Sequence, residues 1–259
     1  GDVYKRQEYT QICMLTAEAA ILRALEVKGY KADVTAGLSL GEYGALIACG
    51  ALSRKDAFAL VRKRGIYMQE AVPEGGAMAA VLALDTAQIE EACKKTEGIV
   101  SIANYNCPGQ IVITGEEKAV AAAGELCKEA GAKRVVPLKV SGPFHSAMLK
   151  GAGEKLGEEL KHVTVHTPAI PYVANVTADY VTKEEEIKPL LEKQVSSSVR
   201  WQQTIERLIA DGADKFVEIG PGKTLTGFMR KINRDVAAVN IDKYEDLSLI
   251  HISEPTRHS

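Results

Sequence analysis

The chain has 259 residues, 46% hydrophobic and 25% charged, enough for one sizeable core and a smaller second one. Lys and Arg number 32 against 34 Asp and Glu, so a formal charge of −2 excludes a basic nucleic-acid footprint. No apolar run reaches the ~20 residues of a bilayer-spanning helix.

The five cysteines (13, 49, 93, 107 and 127) form no CxxC pair and are odd in number. A disulfide scaffold and a structural zinc site are therefore not expected, and a reducing cytoplasm fits best. Residues 1–7 (GDVYKRQ) and 248–259 (SLIHISEPTRHS) lack the periodicity of the rest and resemble translated adapter sequence. Both are expected to be non-native tails and are set aside, His251 and His258 with them.

The first predicted element is a helix over 8–28, with Ile12, Leu15, Ala19, Leu22 and Leu25 on one face and Gly29 as its stop. A short strand over 33–36 runs into Gly37-Leu38-Ser39-Leu40-Gly41, followed by a helix to Cys49. Ser53 opens the next helix, with Asp56 three residues on. From residue 77 the pattern reads strand 77–84, helix 86–96, strands 99–104 and 110–114, helix 117–130 and strand 134–140. That β-α-β-β-α-β order is the ferredoxin-like one. Longer helices then alternate with buried strands at 170–174, 216–219 and 237–241. The reading is an α/β core (8–75 and 142–247) interrupted by an inserted subdomain (76–141).

Gly37-x-Ser39-x-Gly41 between a strand and a helix is a nucleophile-elbow pattern. A tight turn lifts the hydroxyl into a cleft, the glycines remove side chains that would crowd it, and the Leu40 N–H can face a developing oxyanion. An ordinary strand-to-helix turn would use the same residues. A serine nucleophile needs a base. His162 and His166 sit among polar residues and read as surface positions. His145, in the loop Ser141-Gly-Pro-Phe-His-Ser146 after a strand, is the candidate, although a loop histidine bonded to nearby backbone has the same pattern.

On the helix from Ser53, Arg64 falls on the apolar stripe of Ala57, Leu60, Val61 and Met68. An inward guanidinium needs an anion, either a carboxylate of the fold or an anionic group of a substrate. Gly220-Pro-Gly-Lys-Thr224 after a strand resembles a phosphate loop, but Val217 stands where the Walker pattern requires glycine. An NTPase is rejected; a tight turn with open helix-N-terminal amides stays possible.

Six motifs in order (Gly37–Glu42, Arg64–Gln69, Ala103–Gln110, Gly142–Ser146, Gln194 through Val199-Arg-Trp201, and Glu218–Lys223) resemble the malonyl-CoA:acyl-carrier-protein transacylase family of bacterial fatty-acid synthesis. The resemblance spans about residues 8–247. It implies an α/β-hydrolase-like core with a mainly parallel sheet and a ferredoxin-like insert. It implies a ping-pong acyl transfer in which Ser39 carries the malonyl group and His145 is base and then acid. The Gln194 backbone carbonyl would orient His145, the Leu40 N–H would serve the oxyanion, and Arg64 would hold the malonyl carboxylate. Met68, Asn104 and Asn106 would line the cleft.

Malonyl-CoA and acyl carrier protein are the implied partners, with the coenzyme A thioester as substrate and no separate cofactor or metal. Arg230, Lys231, Arg234, Lys133 and Arg134 are candidates for docking an acidic carrier. Phe144, beside His145, is a candidate for restricting α-substituents. Two departures stand out. Leu38 replaces the histidine common before the family's nucleophile. The family's Gly-Gln-Gly loop, source of a second oxyanion donor, is absent. An N-terminally truncated member is therefore expected, impaired by ~10²–10³ in rate for one lost donor. The competing expectation is a GxSxG serine hydrolase or thioesterase, which would orient His145 with a carboxylate and place no cation in the acyl pocket.

Overall fold

The computed structural model describes residues 7–252. Helix α1 (Gln7–Val27) lies along α3 (Arg54–Ala71). The two bury Leu15 against Leu60 and Val61 in the largest apolar cluster. α3 begins where Ser53 Oγ accepts the Asp56 N–H at 3.1 Å, satisfying one orphan donor of the first turn.

Strand β1 (Thr35–Ala36) pairs in parallel with β6 (Tyr172–Val173), and β6 pairs antiparallel with β7 (Tyr180–Val181). β8 (Lys215–Ile219) and β9 (Ala237–Ile241) form a separate parallel pair. The architecture is α/β, as expected. Several strands are shorter than their apolar runs: 170–174 narrows to two residues, since Pro171 has no N–H for a ladder. Likewise the strand expected to reach residue 140 ends at Pro137. β7 is too short for its alternation to show in the sequence.

Residues 76–137 form a four-stranded antiparallel sheet, β2 (Gly76–Leu82), β3 (Val100–Cys107), β4 (Gln110–Glu116) and β5 (Arg134–Pro137), in the order β3-β4-β2-β5. Helices α4 (Thr86–Lys95) and α5 (Glu117–Glu129) enclose a core of its own around Val81, Ile89, Ile113 and Ala123. β3 continues three residues beyond the expected end. Its free edge is taken by Val199, whose N–H reaches Ala103 O at 2.7 Å and whose carbonyl accepts from Tyr105 N–H at 3.0 Å. Register shifts on the other edge, between Ile102 and Asn104 and between Tyr105 and Cys107, break the strict alternation.

Residues 249–252, set aside with the tail in the sequence, form α10 (Leu249–Ile252). Ile250 packs with Leu25, Ile241 and Leu247. Residues 1–6 and 253–259 and the side chain of His251 lie outside the described residues. Among the described residues, the five cysteines are free thiols, no helix is long and apolar enough to cross a membrane, and no three metal-ligating side chains converge.

Candidate active site

Register decides what meets at the serine. The parallel pairing Thr35↔Tyr172 and Ala36↔Val173 sends two chain segments out of the same sheet end, one carrying Gly37 to Ser39 and the other Asn175. Asn175 then holds the turn from both sides. Its Oδ1 accepts the Ser39 N–H at 2.6 Å and its Nδ2 donates to Gly37 O at 2.6 Å. Ser39 has φ 54, in the left-handed region that L-residues avoid at a cost of ~1–3 kcal/mol. A Cβ on Gly37 would collide with the Gly41 carbonyl, whereas one on Gly41 would meet nothing within 4 Å. The two glycines are thus not equivalent, contrary to the sequence reading: Gly37 is required sterically and Gly41 is not.

Helix α2 (Gly41–Ala48) follows, and the Leu40 N–H has no acceptor among the described residues. Ser39 Oγ lies 2.8 Å from His145 Nε2. His145, 4% exposed, also has a left-handed φ of 59. Its Nδ1 faces the Gln194 backbone carbonyl at 3.0 Å. That contact places the proton on Nδ1 and leaves Nε2 as the acceptor toward the serine. Burial first, and the Arg64 guanidinium second, bring the imidazole down to about 4, so it is neutral near pH 7. His162 and His166 are exposed, as expected.

Arg64 is 1% exposed. Its Nη2 donates to Ser39 Oγ at 3.1 Å and to Gln194 Oε1 at 3.0 Å, and its Nη1 donates to Gln11 Oε1 at 2.5 Å. The Tyr43 ring lies 5.7 Å from its Cζ, and its Nε has no hydrogen-bond partner among the described residues. Among the described residues no carboxylate ion-pairs with it. A buried guanidinium ringed by neutral acceptors retains capacity for an incoming anion. Desolvation lowers its proton affinity, with Tyr43 and Glu42 opposing.

Met68, 3% exposed and one turn beyond Arg64, accepts from Gln11 Nε2 at 3.6 Å. Asn104 and Asn106 are buried on β3, and neither hydrogen-bonds through its side chain to Ser39, His145, Arg64 or Gln194. A cavity of about 380 Å³ opens beside His145, walled by Ser101, Ser197 and Arg200 among others.

Sequence reasoning missed three members of this cluster. Gln11 lies inward on α1, whereas the expected stripe was counted from its neighbour Ile12. Asn175 sits at the end of β6, beside β1, a position visible only once the strands are paired. Glu42 falls within the elbow motif, whose spacing shows no contact for it; it is 1% exposed and accepts from Gln194 Nε2 at 2.7 Å. The phosphate-loop geometry is also settled. Glu218 accepts from Leu225 N–H and Thr226 N–H at 3.1 and 2.7 Å, so the amides opening α9 (Thr224–Ile232) are already occupied.

Residues 2–247 match the family model described as an acyl transferase domain. The chain is 48% identical over 243 residues to a malonyl CoA-acyl carrier protein transacylase of Bacillus subtilis (strain 168), covering 92% of this chain and 77% of that protein. A crystal structure of the Streptococcus pneumoniae MCAT superposes with TM-score 0.93 at 46% identity, covering 98% of this chain and 84% of the other. A malonyl-transacylase solved in complex with its type II PKS acyl-carrier protein also superposes at 0.93, with 41% identity and coverage of 96% and 82%. With its length matched almost throughout, the chain belongs to the malonyl CoA-acyl carrier protein transacylase family of acyl transferases.

Proposed function

We infer that this protein moves a malonyl group from malonyl-CoA to acyl carrier protein through a malonyl-Ser39 ester, supplying fatty-acid synthesis. The observation that carries the reading is the buried Arg64, within hydrogen-bond reach of Ser39 Oγ and without a carboxylate partner among the described residues. In the first half-reaction, Ser39 Oγ attacks the thioester carbon, and His145 Nε2 takes the hydroxyl proton and returns it to the departing coenzyme A thiolate. In the second, the carrier's phosphopantetheine thiol gives its proton to His145 and attacks the ester, and Ser39 recovers the proton. The Leu40 N–H faces the oxyanion in both. The Gln194 carbonyl keeps the imidazole in the reactive tautomer. Arg64 holds the malonyl carboxylate, and Met68, Asn104, Asn106 and Phe144 bound the cleft. The donor and product thioesters are similar in energy, so the reaction has little net driving force and water must be kept from the acyl-serine.

The same contacts speak against a hydrolase, which was expected to orient His145 with a carboxylate and to lack a cation beside the serine. Here a backbone carbonyl orients the ring and a guanidinium adjoins the nucleophile. Coenzyme A acts as part of the substrate, with no resident cofactor or metal in the scheme. Residues 8–75 and 142–247 serve as the catalytic core, 76–141 as the insert, and the cytoplasm as the compartment. Arg230, Lys231, Arg234, Lys133 and Arg134 are exposed. Lys231 reaches Gln110 at 3.5 Å, and both Gln110 and Arg134 are in register with Leu82. This one end of the insert sheet, with α9, is the face offered to an acidic carrier.

The test is an initial-rate study varying malonyl-CoA and holo-acyl carrier protein. Parallel double-reciprocal lines are expected. Intersecting lines, or release of free malonate without transfer to the carrier, would overturn the reading.

A further inference from the structure

Glu42 is a buried carboxylate that the transfer scheme leaves without a task. It lies in the first turn of α2, and among the described residues it has no cation at ion-pair distance. Its Oε2 accepts from Gln194 Nε2 at 2.7 Å and from Asn175 N–H at 3.4 Å, while its Oε1 has no hydrogen-bond partner among the described residues. The buried Gln194 and Asn175 donors need an acceptor there, but a neutral one would serve them without the desolvation cost of a charge.

The surroundings of Gln194 show what the charge can do. A glutamine amide has nearly the same shape in either orientation, so only its neighbours decide which end carries oxygen. Nε2 faces three oxygens: Ser39 O at 2.9 Å, Glu42 Oε2 at 2.7 Å and Asn175 Oδ1 at 3.4 Å. Oε1 faces the Arg64 Nη2 donor at 3.0 Å. Asn175 cannot readily reverse to help a flipped Gln194, because its Nδ2 is engaged with Gly37 O. Of the three oxygens, Glu42 is the nearest and the only ionisable one. A reversed amide would set oxygen against a carboxylate at one end and N–H against a guanidinium at the other.

We propose that Glu42 is a positioning residue for acyl selection: it fixes the sense of the Gln194 amide, so that Oε1 holds the Arg64 guanidinium beside Ser39 in the orientation that receives a carboxylated acyl chain. This rests on the reading that Arg64 binds the malonyl carboxylate. Glu42 touches neither substrate nor reacting atoms. Its influence passes through Gln194 to Arg64, and falls on the preference for malonyl over an acyl group lacking the carboxylate.

The experiment measures kcat/KM for Ser39 acylation by malonyl-CoA and acetyl-CoA in wild type, E42Q, E42L and R64A, and in E42Q combined with R64A. It is run at about pH 8, above the value of about 7 to which burial raises Glu42. E42Q keeps the shape and an acceptor but not the charge, and is expected to lower the malonyl-to-acetyl ratio roughly fivefold. E42L removes the acceptor, and is expected to lower the ratio by about tenfold or more. In the R64A background E42Q should leave the ratio unchanged. A ratio that stays at the wild-type value in E42Q, or one that falls equally with and without Arg64, overturns the proposal, whatever happens to stability. Should E42L not fold, E42Q decides alone. If R64A itself retains the wild-type ratio, the underlying clamp has failed instead, and the two failures are told apart.

Discussion

Arg64 Nη2 stands 3.1 Å from Ser39 Oγ, across the cleft edge from His145 Nε2 at 2.8 Å, so one hydroxyl is shared between a fixed cation and a base. The cation polarises the oxygen and, by the same field, helps keep His145 neutral. Removing it should therefore change two measurable things at once. Each charge-assisted hydrogen bond is worth about 1.5–3 kcal/mol. Arg64→Ala is accordingly expected to cut malonyl loading at least ~10-fold and acetyl loading much less. Arg64→Lys, which keeps charge but loses the fork, should fall between. Equal losses on both acyl groups would argue that Arg64 is only a packing element.

The acid limb of kcat/KM for malonyl-CoA is expected near 4, well below an ordinary imidazole, with a plateau on its alkaline side. Arg64→Ala removes one of the two influences that lower His145, so the limb should move upward. A limb that stays at the same pH in Arg64→Ala would contradict the field coupling.

Stability should carry two opposed pH dependences. His145 binds its proton less readily in the fold, at about 4 against 6.5. Its contribution is full above about 6.5 and is lost as pH falls toward 4. Glu42 is the reverse, raised from 4.5 to about 7 by burial, with Gln194, Asn175 and Arg64 pulling it back. Its contribution is full below 4.5 and is lost as pH rises through 7. Each spans roughly 3 kcal/mol by the usual conversion. Urea unfolding across this range should show E42Q lacking the alkaline loss and His145→Gln lacking the acid loss.

The elbow's glycines should part company. Gly37→Ala places a methyl group against the Gly41 carbonyl and is expected to cost more than ~3 kcal/mol or prevent folding. Gly41→Ala meets nothing and sits at a helix start, so its melting temperature should stay within a few degrees of wild type. Comparable destabilisation of both would refute the asymmetry.

Glu218→Ala removes the acceptor shared by Leu225 N–H, Thr226 N–H and Thr226 Oγ1. A loss of about 0.5–2 kcal/mol in stability is expected, without change in kcat. A selective loss of carrier turnover would instead give this turn a functional part.

How much of this was legible in the chain depended on the range of the interaction. The elbow, the loop histidine and the inward arginine announce themselves through short spacing: a glycine pair about a serine, a histidine after a proline turn, a charge on an apolar stripe. The alternation of helix and strand over 76–137 was likewise local. Gln11 and Asn175 were not legible, because their partners lie 53 and 136 residues away and no local pattern encodes a strand register. The extension of β3 through Cys107 escapes the pattern for another reason: Tyr105 and Cys107 pair locally with Ile111 and Gln110 of β4, but the register shifts there break the alternation. Side chains whose job is to hold another side chain leave almost no trace in spacing.

The central claim is that Ser39 itself carries the acyl group. Mass spectrometry of the peptide containing Ser39, after mixing the protein with malonyl-CoA alone, tests it most directly. A malonyl ester on Ser39, formed with release of one coenzyme A and discharged when holo-carrier is added, is the expected result. Malonyl transfer proceeding with Ser39 unmodified, or undiminished in Ser39→Ala, would contradict it.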